Sequence, residues 1–259
     1  MGRRSAVAAT LVSLIVFTSL LVANSALYAS QESALGAAVL STAQTRERAL
    51  GGILVGLAAY GALEAAQASL AGTVLDCSSA QAYLASLGGA SSASGSQQGI
   101  EYSTSTAWAY ASTPSGGDPP ALLGQFGGYS PDGLNLLVSG SLSESYRGGL
   151  PWYSFSGSED VHLPVPLTST ISDCQQGVAE LGAALSSLAA PCNSSSVEEA
   201  VRVAEAGSPV LDPFQVNATA TVAGLGCAVS YGVTRTLGGL EGPAGPFQVA
   251  LRGEGSFVT

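Results

Sequence analysis

From Ser5 to Gln31 the chain carries no charged residue, and Arg3 and Arg4 stand directly before that run. A helix needs about 20 largely apolar residues to cross a hydrocarbon core about 30 Å thick. The run is long enough, and its centre, Leu11 to Val22, is rich in Leu, Val, Ile and Phe. A cleavable secretory signal usually has a shorter apolar region, about 7–15 residues. Ala23 and Ser25 nevertheless supply small residues at the two places such a cut requires, so removal after Ser25 is one fate open to it. Arginines on one side only keep Met1 to Arg4 in the cytoplasm and put everything after Tyr28 outside. A buried core helix is the rival reading, and uncharged length with flanking arginines argues against it.

Composition narrows the partners. The net charge is −10 over 259 residues, and all eight basic residues are arginine. Such acidity leaves no electrostatic footprint for nucleic acid. Anionic head groups would repel it, so attachment to lipid must come from the apolar helix, residues 5–30. The four cysteines, Cys77, Cys174, Cys192 and Cys227, form no CxxC pair, and there is one histidine. A zinc site is therefore not expected, and neither is any cofactor. An even cysteine count in an exported chain reads as two disulfides. Asn193-Ser194-Ser195 and Asn217-Ala218-Thr219 are glycosylation acceptors if the domain is outside.

Helical spacing continues beyond the first run, through Leu35, Val39, Ala43 and Leu50, with Gly51-Gly52 as the first expected break or kink. Residues 49–75 are apolar again and permit a second span by length. Four glycines and Glu64 oppose it, and a return to the cytoplasm would strand the cysteines in a reducing compartment. The favoured reading is a helix buried against a neighbour, with Gly52, Gly56, Ala59 and Ala62 allowing close approach. A short helix is expected around Cys77 to Leu87, then a low-complexity loop at "GGASSASGSQQG". From Ile100 the period changes to two: "IEYSTSTAWAYAS", "GLNLLVSGSLSES" and "VHLPVPLTS" read as strands, the last held to an edge by Pro164 and Pro166. Helices follow at Ile171–Leu188 and Ser195–Ala206, the second opened by a capping box at Ser196-Val-Glu-Glu199. "FQVNATATVAG", "CAVSYGVTRTL" and "FQVALRGEGSFV" read as three final strands.

Helix geometry limits the disulfides. Eighteen residues at ~1.5 Å each put Cys174 and Cys192 about 25 Å apart across an unbroken helix, whereas a disulfide needs Cα atoms within about 7 Å. Two pairings remain, both tying Cys77 and Cys227 to the second helical block. The likeness of Asp76-Cys77 to Asp173-Cys174 favours Cys77–Cys174 with Cys192–Cys227.

No residue pattern carries a catalytic signature. His162 lies beside Glu159 and Asp160, but no GxSxG elbow supplies a nucleophile. Glu198, Glu199 and Glu205 read as a solvated helix face, and Asp118 and Asp132 as turn formers. Trp108, Tyr110, Trp152 and Tyr153 can line a sugar-binding face, though sheet packing is the commoner fate of aromatics at strand spacing.

Arg3-Arg4-Ser5, the apolar helix after it and the long Ala-rich helix beyond resemble the amino-terminal region of archaeal type IV pilins and pilin-like proteins, over residues 1 to about 50. The resemblance implies cutting after Arg4, with Ser5 as the new terminus, and an apolar helix kept as anchor and then as the packed core of a filament. The glutamate common near the fifth mature position of bacterial pilins is absent; Ala9 stands there.

The expectation is an α+β chain. It divides into a signal and transmembrane helix over 1–30, a stalk helix over 31–72, and an extracellular, β-rich head over 73–259 with two short helices. The expected role is a non-enzymatic, single-pass surface protein, a pilin-like subunit that meets like or related subunits through its amino-terminal helix. A tethered module binding sugar or a surface protein is the alternative, and a secreted hydrolase comes last.

Overall fold

The structure, a computed structural model, describes residues 2–97, 99–111, 132–146, 150–187, 193–223 and 226–258. Contacts divide the chain into two compact units, Met1–Leu50 and Gly51–Thr259. A helix, α1 (Gly2–Leu70), makes up the first and opens the second. No break occurs at Gly51-Gly52. A helical glycine costs about 1 kcal/mol against alanine, but at Gly51 the bare backbone is required: a Cβ would run into the Phe155 ring.

The 51–70 part of α1 is a core helix of the second unit. Val55, Ala59, Ala62, Leu63, Ala66 and Leu70 are buried on one face. The favoured sequence reading, a helix buried against a neighbour, is the arrangement found here. The contact boundary falls after Leu50, so the last five turns of α1 belong with the strands. Gln67 is buried and bonded at both ends of its amide: its Nε2 donates to the Gly245 carbonyl at 2.7 Å and its Oε1 accepts from the Ala244 N–H at 2.9 Å.

Two four-stranded sheets complete the unit. The first runs β1 (Val74–Asp76), β8 (Phe247–Val258), β7 (Gly226–Leu240), β6 (Gln215–Ala223), with β1 parallel to β8 and the rest antiparallel. Helix α3 (Leu167–Ser186) packs across β8 and β7, and α4 (Ser194–Gly207) against α3 and β6. Close approach of α3 rests on missing side chains. A Cβ on Gly253 would strike Val178 and lie 3.2 Å from Cys174 Sγ, and Gly182 makes room for the Tyr231 hydroxyl.

The second sheet is a meander in order β2 (Gly88–Gln97), β3 (Ile100–Tyr110), β4 (Leu134–Tyr146), β5 (Leu150–Leu163). Its inner face carries Leu134, Leu136, Val138 and Leu142, with Val55 of α1 3.0 Å from where a Cβ on Gly140 would stand. Its outer face is lined by serines in register; one row reads Ser92, Ser105, Ser141, Ser156.

Several expectations shift. "GGASSASGSQQG" is a strand through Gln97 and not a loop. It has no apolar alternation of its own; β3 supplies the bulk, laying Trp108 over Gly89 and Tyr102 over Gly95. The "VHLPVPLTS" strand ends at Leu163, because Pro164 cannot donate to a ladder, and α3 starts at Leu167. Asp132 opens that helix from outside: its carbonyl accepts from Leu167 N–H and its Oδ1 accepts from Ser169 N–H at 2.7 Å. The capping residue of α4 is Asn193 and not Ser196. Its Oδ1 accepts from the Ser196 N–H at 2.6 Å, so Ser196 lies within the first turn. Between Cys77 and Leu87 the helix, α2, is confined to Ala80–Ala85.

Candidate interaction surfaces

Cys77 and Cys174 are joined by a disulfide with Cα atoms 6.0 Å apart, both buried. Cys77 follows β1 and Cys174 lies in the second turn of α3, so the bond pins α3 to the edge of the first sheet. Gln175 reinforces it, donating to the Cys77 carbonyl at 2.8 Å. Cys227, on β7, is also disulfide-bonded; Cys192 lies outside the described residues. The helix of 167–186 is unbroken, which keeps the geometric objection to Cys174–Cys192 in force.

The face of α1 opposite the core carries apolar residues as well, with Glu64 exposed further along it. Ile53 is 51% and Leu57 63% exposed, with Tyr60 on the same side donating to the Pro243 carbonyl at 3.3 Å. Positions 53, 57 and 60 follow one stripe of a 3.6-residue helix. In the first unit Leu40 and Leu50 are exposed too. Among the described residues one helical stretch, Gly36–Leu70, is long and apolar enough to cross a membrane. Half of it is committed to the core of the second unit. Arg4 and Ser5 lie in α1 as helical backbone.

Trp108, Tyr110 and Tyr153 share the inner face of the second sheet, half-buried, the first two packed against the core. The side chain of Trp152 lies outside the described residues. The described aromatics of the supposed sugar platform thus face inward, and Trp108 is taken up by packing on Gly89. His162 sits on β5 opposite Asn135, two residues from buried Asp160. The nearest serine on that face of β5 is Ser158, about 13 Å along the strand, beyond hydrogen-bond reach of the imidazole. Glu199 pairs with Arg202 at 2.6 Å on α4, as a solvated helix face requires. Asp118 lies outside the described residues, and among those residues no cluster of His, Cys, Asp or Glu could hold a metal ion.

Asn193 and Asn217 are both exposed. Asn193 is held by its capping bond, and Ser195 Oγ donates to its Oδ1 at 2.9 Å. Asn217 stands on edge strand β6 with Thr219 on the same face. Beside it is an open depression of about 550 Å³ on the outer face of the first sheet, lined by Asn217, Thr219, Ser230, Arg252, Glu254 and Ser256. Gly232 leaves the gap, flanked by Asn217 Oδ1 at 3.0 Å and Glu254 Cγ at 3.5 Å from a would-be Cβ. Sequence inspection missed this depression, since its residues come from three strands and only cross-strand register unites them. Compared with protein families, curated proteins and solved structures, the chain matches none.

Proposed function

We propose that the chain is a membrane-anchored structural subunit, pilin-like in the archaeal type IV sense. It is held by residues 5–30 in the lipid, with its α/β unit outside, and it assembles with like or related subunits through the exposed face of α1. The observation that carries this is the double use of one helix. Residues 51–70 bury one apolar face in the unit's own core while Ile53 and Leu57 stay in solvent on the other. A contiguous exposed apolar patch marks an interaction surface, and Ile53 and Leu57 stand one helical turn apart on α1. The buried disulfide supports an oxidising compartment for the β-rich part. The exposed sequons at Asn193 and Asn217 would be open to glycosylation in that location.

Arginine in place of Leu14 costs about 2.5–3.5 kcal/mol of insertion free energy, so membrane fractionation of Leu14→Arg should collapse; unchanged fractionation rejects the anchor. Glutamate at Leu57 should abolish assembly while the Cys77–Cys174 bond still forms. Assembly that survives the change rejects the α1 interface. Terminal sequencing of the mature chain gives Ser5 for a pilin-type cut, Ala26 for a secreted protein and Met1 for a plain anchor. Protease on intact cells should remove the α/β unit.

The depression around Gly232 favours a second reading, a tethered binding module. One arginine, one glutamate, one amide and three hydroxyls lie within a single open concavity. Saccharide binding that is lost in Arg252→Ala and kept in Leu57→Glu would establish it.

A further inference from the structure

A sheet edge presents unpaired N–H and C=O groups that template another strand, and proteins normally blunt such edges. Three of the four edges here are blunted. β1 has three residues. β5 carries Glu159 and Asp160, ends against Pro164 and slips register opposite Glu144 and Ser145. β6 has α4 packed against it. β2 has none of these devices. Its ten residues, "GGASSASGSQ", include no charge and no proline, pair with β3 without a slip, and are exposed almost throughout. Among the described residues no strand lies beyond it.

We infer that β2 is a strand-addition site whose occupant is β2 of a second copy, running antiparallel about a two-fold axis through Ser92. A two-fold axis normal to the sheet keeps each face on its own side, so paired residue numbers sum to an even value. Centring on Ser92 sets Gly88 to Ser96 against the same stretch of the partner. It places Gly89 opposite the partner's Gly95. These are the glycines on which Trp108 and Tyr102 lie, so a ring from each copy shares the space above one glycine pair. Moving the centre to Ala93 sets Gly95 opposite Ser91 instead and takes that room away. The remaining pairs set Gly88 against Ser96 and otherwise Ser and Ala against Ser and Ala. Charge points the same way. At net −10 most surfaces of two copies repel, and this uncharged edge is where they approach at least cost. The result is one eight-stranded sheet with the serine face continuous across the axis.

Nine residues of small side chains bury little area, so the pairing is weak between free molecules and strong where copies are held at high local concentration. That condition rests on the anchored-subunit reading above.

The test is cross-linking of full-length protein in its membranes and in detergent. Opposed residues of an antiparallel pair have Cα atoms about 4.5–5.5 Å apart, inside disulfide reach. Ser92→Cys should shift from monomer to covalent dimer on mild oxidation. Ser105→Cys, one strand inward in the same row, would stand about 14 Å from its counterpart and should remain monomeric. Ser92→Lys, with two ammonium groups at the axis, should remove cross-linking through a second cysteine placed at Ala90 or Ser94 of mixed copies. A Ser92→Cys chain that stays monomeric with Cys77–Cys174 intact overturns the pairing, as does equal cross-linking at Ser105→Cys. A protein that fractionates as soluble yet cross-links at position 92 overturns the anchor and leaves the pairing standing.

Discussion

The two sheets solve the same packing problem differently. The first is braced by covalent and helical contacts: α3 lies across it, α4 beside it, and a disulfide ties its short edge strand to α3. Its inner positions are Val229, Val233, Leu251 and two glycines that admit Val178 and the Tyr231 ring. The second sheet meets α1 along its middle, with Val55 against Gly140 and Gly157 and the Phe155 ring over Gly51. Leu134, Leu136, Val161 and Leu163 are fully buried at one end of it, whereas Tyr102 and Tyr146 at the other end are exposed. Its outer face is serine, with Ser105 and Ser141 hydroxyls 2.8 Å apart. Stability is therefore concentrated in the first sheet and at the base of the second, and the far end of the second is free for contact.

The largest break in that contrast is removal of the disulfide. It closes a loop of sequence separation 97, and bonds of that span contribute about 2–5 kcal/mol. Cys77→Ser with Cys174→Ser should lower the unfolding free energy read from a denaturant curve by that amount and raise hydrogen exchange in β1, β8 and α3 before β2 and β3. Next come matched glycine substitutions. Gly253→Ala drives a methyl into Val178 and against Cys174, an overpacking cost of about 1–3 kcal/mol. Gly140→Ala has its tightest contact with the end of Val55 at 3.0 Å and should cost less; equal losses in thermal unfolding would erase the distinction between the sheets. Asn193→Ala removes the α4 cap and should cost about 0.5–2 kcal/mol, loosening α4 beside β6 without changing the second sheet.

Acid sharpens the comparison further. The Ser78 hydroxyl and N–H, both donating to Asp76, hold its carboxyl below the ordinary range, and Ser208 and then Gln176 do the same for Glu180. A carboxyl lowered in the folded state favours folding above its unfolded value. That contribution is lost as pH falls through the lowered folded value. Stability should fall in acid through groups attached to the first sheet and its helices, and Asp76→Asn should flatten that limb of the pH profile. The smallest effect belongs to the serine face: Ser141→Ala should change stability by less than about 0.5 kcal/mol, measured against the same denaturant curve.

Much of this was legible before any fold. Tyr102, Thr104, Thr106, Trp108 and Tyr110 alternate along β3, as they share one face in the sheet. The run from Ile171 to Leu188 contains no proline and reads as a helix, so its length ruled out one disulfide. Asn193 as cap was missed because three serines follow it and each is a plausible cap; only backbone conformation selects among them. The depression at Gly232 left no trace in the sequence.

By itself, then, the sequence determined the uncharged run before Glu32, the helices with an apolar stripe, the strands that alternate, and a pair of cysteine pairings. These follow from periodicity, which is local. Only the tertiary structure decided that residues 51–70 form a core helix, that Cys77 bonds Cys174, and that "GGASSASGSQ" is a strand. Each depends on a partner remote in sequence. Val55 is buried because Gly140 and Gly157 leave a groove for it, and β2 is extended because β3 offers a ladder and two aromatic rings that its own small residues cannot supply.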